Sequence, residues 1–461
     1  MFLYAIQQHD KETSFLSVEA PSLWKSLEST FSNSTLASPL QNFLAPAPFN
    51  TGSTSPYIQR IESTFPSISF HHLPPISLPL HSHHYHNEIL LTFHLLRLNN
   101  PHVHQFLLPI ASSFRALLFD FFCHPVLDVA ATLRIPSFCF YTSTASCLAS
   151  LLHLPTLHRL TQTSFKDLGD TLLDFPSLPP LPVSDSPLAP HDREDDMYRE
   201  FFSTATALPR ASGIVINTFG SLEPLAVEAL GSGACIVDGW TPPIYCIGPL
   251  IAEAERGDGG GAGCLVWLDS QPSRSVVFLC FGSLGLFSAA QLKEIAIGLE
   301  RSGQRFLWVV RSPPSEDETR RDLGAPMPEG FLERTRGRGL VVNSWAPQLS
   351  VLGHESVGGF VSHCGWNSVL EGLCAGVPMV AWLLYAEQRL NRLVVVEKGL
   401  ALAAEKGKDG WVGEEEVERQ VRAVMESKEG EALRERTGAM KEKAVAALSE
   451  VGSSRLIFSK L

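Results

Sequence analysis

From Phe43 onward, short apolar runs alternate with longer stretches in which apolar residues recur every three or four positions. The runs "FLAPAP", "SISFHHL", "ALLFDFF", "SFCFYT" and "GIVINTF", bounded by Pro, Ser or Asn, predict strands. Between them, "NEILLTFHLLRL" and "PVLDVAATLR" predict helices. A proline-rich acidic loop is expected over 178–196, and "RGDGGGAG" over 256–263 reads as a flexible linker. The alternation then restarts with "SVVFLCFGS", "RFLWVVR", "GLVVNSW", "VGGFVSH" and "PMVAW", each followed by a helical run. Ser288 and Gln291 stand at capping-box spacing ahead of "LKEIAIGLERSG". Strands alternating with helices of this length predict an α/β chain with parallel sheets wound on both faces. Two such Rossmann-like halves joined by a linker are expected to close a cleft, with ligands at the carboxyl ends of the strands.

At 461 residues the chain exceeds one ordinary core, which sets two domains as the expectation. Hydrophobic content of 44% with 18% charged residues fits a water-soluble globular protein. The formal charge of −12, with no basic block, argues against a nucleic-acid backbone as main partner. Nine cysteines without a CxxC pair suit buried thiols in a reducing compartment. The longest greasy stretch is broken by Arg115 and Asp120, and the apolar amino-terminal run is too short for a signal peptide. A cytoplasmic protein with no membrane partner is expected. Its alternative is a peroxisomal address spelled by Ser459-Lys460-Leu461. The run "HSHHYHNE", 81–88, has irregular spacing and no second cluster, so it reads as a solvated loop and no metal is expected.

The chemistry concentrates in "VGGFVSHCGWNSVLEGLCAG". A strand ending near Val361 runs through a glycine turn into a helix starting near Asn367. A helix amino terminus offers free N–H groups and partial positive charge, a seat for phosphate. Gly365 lets backbone approach the anion, and His363, Asn367 and Ser368 add donors. Glu371, one turn on, suits two vicinal hydroxyls, as on a ribose. These residues would equally make an ordinary βα turn capped by Asn. Three other stretches favour a nucleoside diphosphate. "WAPQ" supplies Trp345 to stack on a base. "FGSLG" is a second glycine turn with a hydroxyl, and "WLLYAEQ" ends in Glu387 and Gln388, suited to sugar hydroxyls. The absence of GxGxxG, of a P-loop and of GxSxG argues against a dinucleotide oxidoreductase, a P-loop enzyme and a serine hydrolase.

Taken together, residues 345–388 resemble the signature box of plant family 1 UDP-glycosyltransferases, from "WAPQ" through "HCGWNS" to "EQ". The resemblance implies the GT-B architecture, two Rossmann-like domains facing across a cleft. Its implied divisions are an acceptor domain over 1–244, a linker over 245–263, a UDP-sugar domain over 264–440 and a carboxyl-terminal helix over 441–461. It further implies that Trp345 stacks on uracil while Ala346 and Gln348 hold the nucleoside, and that Glu371 takes the ribose hydroxyls. His363, Trp366, Asn367 and Ser368, with Ser283, would surround the diphosphate. Trp382, Glu387 and Gln388 would line the sugar, the final glutamine being associated with glucose. Leu383 departs from the family, which commonly has proline there.

From about Phe43 the first half is similar to the branch that glucosylates flavonoids, chalcones and related phenols. Asp120 occupies the position of the family's dyad aspartate, which orients and charge-stabilises a histidine base. Thr142 matches a residue that touches the sugar. The family opens with a strand and a glycine-histidine pair, a pattern that residues 1–41 do not show; His9 has no glycine before it. The resemblance implies inverting transfer of glucose from UDP-glucose to a phenolic hydroxyl, by a monomer using no cofactor beyond its donor substrate. The alternative is a UDP-sugar-binding pseudoenzyme, its histidine lost with an amino terminus replaced by splicing or a gene-model error.

Overall fold

The structure, a computed structural model, describes residues 2–5, 40–44, 63, 68–74, 76, 88–186, 192–251, 262–282, 285–311, 327–343, 345–385, 387–407 and 410–458. His9, Ser283, the histidine run 81–87, most of the linker and the terminal Ser459-Lys460-Leu461 lie outside them. The chain divides into two compact units, one of Met1–Leu250 with Ala447–Leu461, the other of Ile251–Ala446.

The first unit is built on seven strands: β1 (Phe2–Ala5), β2 (Leu40–Leu44), β3 (Ile68–His72), β4 (Leu117–Asp120), β5 (Ser137–Tyr141), β8 (Gly213–Ile216) and β9 (Ile244–Cys246). They pair in the order β3-β2-β1-β4-β5-β8-β9, every pair parallel. A parallel sheet is covered on both faces, which is why β4 and β8 are buried along their whole length and read as unbroken apolar runs. Strand order reverses between β1 and β4, so Asp120, the last residue of β4, stands at the reversal. The amino-terminal strand was not among the predicted ones. The proline-rich stretch also departs from a plain loop. It contains β7 (Leu178–Pro182), antiparallel to β6 (Leu172–Phe175) in a separate ribbon, where prolines cost little because an outer edge needs no donors.

The second unit carries β10 (Val276–Cys280), β11 (Arg305–Val310), β12 (Gly339–Asn343), β13 (Val357–Ser362), β14 (Met379–Ala381) and β15 (Ala401–Ala403). Their order is β12-β11-β10-β13-β14-β15, all parallel, the Rossmann arrangement. Its reversal falls between β10 and β13. Phe278 and Phe360 stack there at 5.4 Å across the two strands. The core gathers Val277, Leu279, Phe306, Trp308 and Val361 from the sheet with Leu292, Ile295 and Leu299 from helix Ala289–Ser302. Half of the expected capping box forms. Ser288 Oγ accepts from Gln291 N at 3.2 Å, but the Gln291 side chain instead bonds both backbone groups of Val412. Among the described residues no helix is long and apolar enough to cross a membrane, and all nine cysteines are free thiols.

Candidate functional site

In the second unit, the ends of β10 and β13 converge at the sheet's reversal. β13 stops at Ser362, and the chain turns through Cys364 at φ +65°, a strained value for a side chain with a Cβ. Two bonds hold that turn: Cys364 N donates to Ser362 Oγ at 3.2 Å, and Asn391 Nδ2 donates to Cys364 O at 2.9 Å. Gly365 then begins helix Trp366–Ala375. No side chain caps this helix start, and no acid lies in its first turn. Neither its cap residue nor its own first turn therefore neutralises the partial positive charge of this helix terminus.

His363 stands over that terminus, 4% exposed. Its ring lies between two glycines. A Cβ on Gly282, itself at φ +72°, would sit 2.6 Å from the imidazole, and one on Gly365 would sit 2.4 Å from Nε2. Burial lowers its pKa to about 4, leaving a neutral ring. His363 Nδ1 and Asn367 Oδ1 are buried without a hydrogen-bond partner among the described residues. Both residues flank the uncapped helix start, and buried polar groups are nearly always paired, so the two atoms point to a ligand.

One turn along, Glu371 is 5% exposed and burial raises its pKa to about 7, opposed by a hydrogen bond from Gln348. Gln348 Nε2 donates to Glu371 Oε2 at 2.6 Å and to Ser368 Oγ at 3.0 Å, bringing three predicted residues together. Trp345 is 47% exposed, unlike the buried Trp308, Trp366 and Trp382, and Ala346 beside it is buried. Burial likewise raises Glu387 to about 7. Gln388 is buried; its Oε1 accepts from Leu384 N at 2.8 Å and Tyr385 N at 3.0 Å, folding the segment between them. Trp382 packs edge-on against Phe281 at 5.4 Å and Phe287 at 5.8 Å, within the core. Sequence reasoning singled out the turn that holds Gly282 but not its packing on His363, and it missed Asn391. The signal for Asn391 was available, as a polar residue on the buried face shared by Leu390, Val394 and Val395 of helix Gln388–Glu397.

In the first unit, Asp120 is 3% exposed and ends β4. Its Oδ1 accepts from Phe122 N at 2.9 Å, so it caps the 3₁₀ turn Phe121–Cys123. Burial raises its pKa to about 7, countered by the N–H groups of Phe122 and Phe121. Four residues on, His124 turns away. Its ring contacts Thr204 Oγ1 at 3.1 Å and Ser203 Oγ at 3.4 Å, and its pKa falls to about 4, chiefly through burial. Thr142 follows β5, half-buried, two residues before the Thr144 cap of helix Ala145–Leu160. Among the described residues no group of three His, Cys, Asp or Glu is placed to hold a metal ion.

Residues 254–433 match the family model described as UDP-glucoronosyl and UDP-glucosyl transferase. The chain is 49% identical over 420 residues to a UDP-glycosyltransferase 88B1 of Stevia rebaudiana, covering 90% of each chain. It is 47% identical to an anthocyanidin 5,3-O-glucosyltransferase of a Rosa hybrid cultivar, covering 88% of this chain and 85% of that one. Among solved structures, it superposes with a TM-score of 0.86 at 32% identity on a Polygonum tinctorium UDP-glucosyltransferase capable of glucosylating indoxyl, over 100% and 97% of the two chains. A Phytolacca americana UGT2 complexed with UDP-2fluoro-glucose and pterostilbene gives 0.83 at 33% identity, over 100% and 98%. The fold is of the GT-B class, and the enzyme it defines is a sugar transferase working from a nucleotide donor. The chain belongs to the UDP-glycosyltransferase family.

Proposed function

We propose that this chain transfers glucose from UDP-glucose, with inversion, to a phenolic hydroxyl of a flavonoid, chalcone or similar small molecule. A relative named for glucosylating an anthocyanidin, and a structural neighbour bound to the phenol pterostilbene, support the acceptor class. The stretch 264–440 is the donor-binding part and 1–244 the acceptor-binding part. Trp345 stacks on uracil, Gln348 and the Ala346 backbone hold the nucleoside, and Glu371 takes the ribose hydroxyls. The diphosphate rests on the start of helix Trp366–Ala375 against His363, Asn367 and Ser368, with Ser283 and Trp366 beside it. Glu387 and Gln388 bind the sugar, as does Thr142.

The observation that carries this reading is that His363 Nδ1 and Asn367 Oδ1 are buried and without a partner among the described residues, at a helix start that no side chain caps. A half-turn of the Asn367 amide about χ2 exchanges its oxygen for its NH₂, so Asn367 serves as donor to phosphate oxygen. Asp120 orients a histidine base; His9, the candidate nearest the family's position in the sequence, lies outside the described residues. The base takes the phenolic proton, and the phenolate oxygen attacks the anomeric carbon as the bond from that carbon to the diphosphate oxygen breaks. The electron pair leaves on UDP, where the helix N–H groups and His363 stabilise the growing charge. A phenol of pKa about 10 asks less of the base than an aliphatic alcohol. We place the enzyme in the cytoplasm, as a monomer that needs no metal. No observation favours a binding-only pseudoenzyme.

Asn367→Ala tests the assignment. Losing a hydrogen bond to a charged group, worth about 1.5–3 kcal/mol, weakens UDP binding by about ten- to a hundredfold and lowers turnover with it. Titration calorimetry and steady-state kinetics read both. Unchanged UDP affinity would refute the site.

A further inference from the structure

The start of helix Ala145–Leu160 in the first unit is the mirror case of the uncapped one in the second. Here the helix terminus is filled from within the protein, by the carboxylate of Glu223, which is 2% exposed. Glu223 Oε1 accepts from Ser146 N and Ser146 Oγ, both at 2.9 Å. Its Oε2 accepts from Ala145 N at 3.0 Å and from Thr218 Oγ1 at 2.7 Å. The residue precedes helix Pro224–Gly231 but makes no cap bond to it, so its hydrogen bonds are spent on a neighbouring element. Thr144 Oγ1 meanwhile takes Cys147 N at 2.9 Å.

What Glu223 holds is the first two residues of helix Ala145–Leu160, three positions past Thr142. β4 and β5 run parallel with Asp120 opposite Phe140, so Thr142 leaves the sheet at the same end as Asp120. The carboxylate arrives from the end of β8, paired to β5 with Ile216 opposite Tyr141. The segment around it is itself fixed. Asn217 is fully buried and exchanges bonds with both backbone groups of Leu250, at 2.9 and 2.7 Å. We infer that Glu223 is a positioning residue for glycosyl transfer, its carboxylate fixing the helix start that follows Thr142 and so the place of that hydroxyl at the Asp120 end of the sheet. This role rests on the function proposed above.

Only a carboxylate satisfies the arrangement. Each of its oxygens faces one backbone N–H, of Ser146 or of Ala145, and a backbone N–H cannot turn to accept. A glutamine has a single acceptor oxygen, so in either orientation its NH₂ faces one of these donors and the helix start must move. Misplacement on the order of 1 Å at a site remote from the chemistry can cost about a hundredfold in rate.

The experiment compares the full-length chain with Glu223→Gln, measuring UDP affinity by calorimetry, kcat and KM with UDP-glucose and a flavonol, and melting temperature. Glu223→Gln is expected to lose about ten- to a hundredfold in kcat/KM while binding UDP as the parent does. Thr204→Val, which breaks the buried contact to His124 elsewhere in the same unit, supplies the stability control and is expected to melt lower with kcat retained. Thr218→Val removes one donor of four and is expected to lose less than Glu223→Gln in the same direction, a readout that survives should Glu223→Gln not fold. Parental kcat/KM in both the Glu223 and Thr218 variants, or losses no greater than Thr204→Val shows at equal melting temperature, would overturn the role. An unsubstituted chain that transfers no sugar would overturn the proposed function itself.

Discussion

At His363 burial and chemistry pull in opposite directions. The ring is enclosed between two glycines, which holds it neutral with a pKa of about 4, against 6.5 for an exposed imidazole. The unfolded chain therefore binds a proton at this residue near pH 6.5, and the folded chain does so only near 4. Stability owed to the neutral ring is complete above pH 6.5 and is lost as pH falls towards 4. The unfolding free energy of the parent relative to His363→Gln should fall by about 2–3 kcal/mol across that window, measured by denaturant titration at several pH values. Saturating UDP should shrink the fall, because a diphosphate favours the imidazolium. A difference that grows on acidification would contradict the assignment. The residues of this site that were legible from sequence are those whose partners lie close in the chain. Gln348, Ser368 and Glu371 meet because only a short helix, β13 and the turns at its two ends separate them. Gly282 was not legible as a packing partner of His363, since only the pairing of β10 with β13 brings the two turns together. Nor was the burial of Trp382, which depends on Phe281 and Phe287 from another loop.

Helix Ala289–Ser302 gives the element-scale case where local preference and packing disagree. Gly298 lies in its interior, where alanine is favoured by about 0.5–1 kcal/mol on propensity alone. A Cβ there would lie 2.5 Å from Val417 Cβ and 2.7 Å from Glu414 O, both on helix Glu414–Glu426. One contact is backbone and the other a β-branched side chain with little freedom, so overpacking at about 1–3 kcal/mol outweighs propensity. Gly298→Ala should destabilise by about 1–2 kcal/mol in chemical denaturation, and a stabilised variant would contradict the packing. The buried parallel strands, "SVVFLCFGS" and "VGGFVSH" among them, were legible because burial on both faces leaves only apolar residues. β1 was missed because Phe2–Ala5 is four residues long with polar residues after it, and its place comes from pairing with β2 and β4. The ribbon β6–β7 was missed because its prolines argue against a strand unless it stands outside the main sheet.

Over the whole molecule, each unit reverses its strand order once, between β1 and β4 in the first and between β10 and β13 in the second. Open parallel sheets bind ligands at such reversals, and the two reversals carry different chemistry. The first presents a buried carboxylate whose pKa burial raises to about 7, suited to orienting a basic partner. The second presents an uncapped helix start under a neutral imidazole, suited to an anion. The net charge of −12 is unhelpful to a diphosphate at long range, but screening within about 8 Å at physiological ionic strength leaves the local helix terminus to decide. The most direct measurement incubates the purified full-length chain with UDP-glucose and a flavonol and follows both products by chromatography. The account predicts a flavonol O-glucoside with the anomeric configuration inverted, released together with one equivalent of UDP. Intact UDP-glucose and unmodified flavonol at the end of the incubation would contradict it.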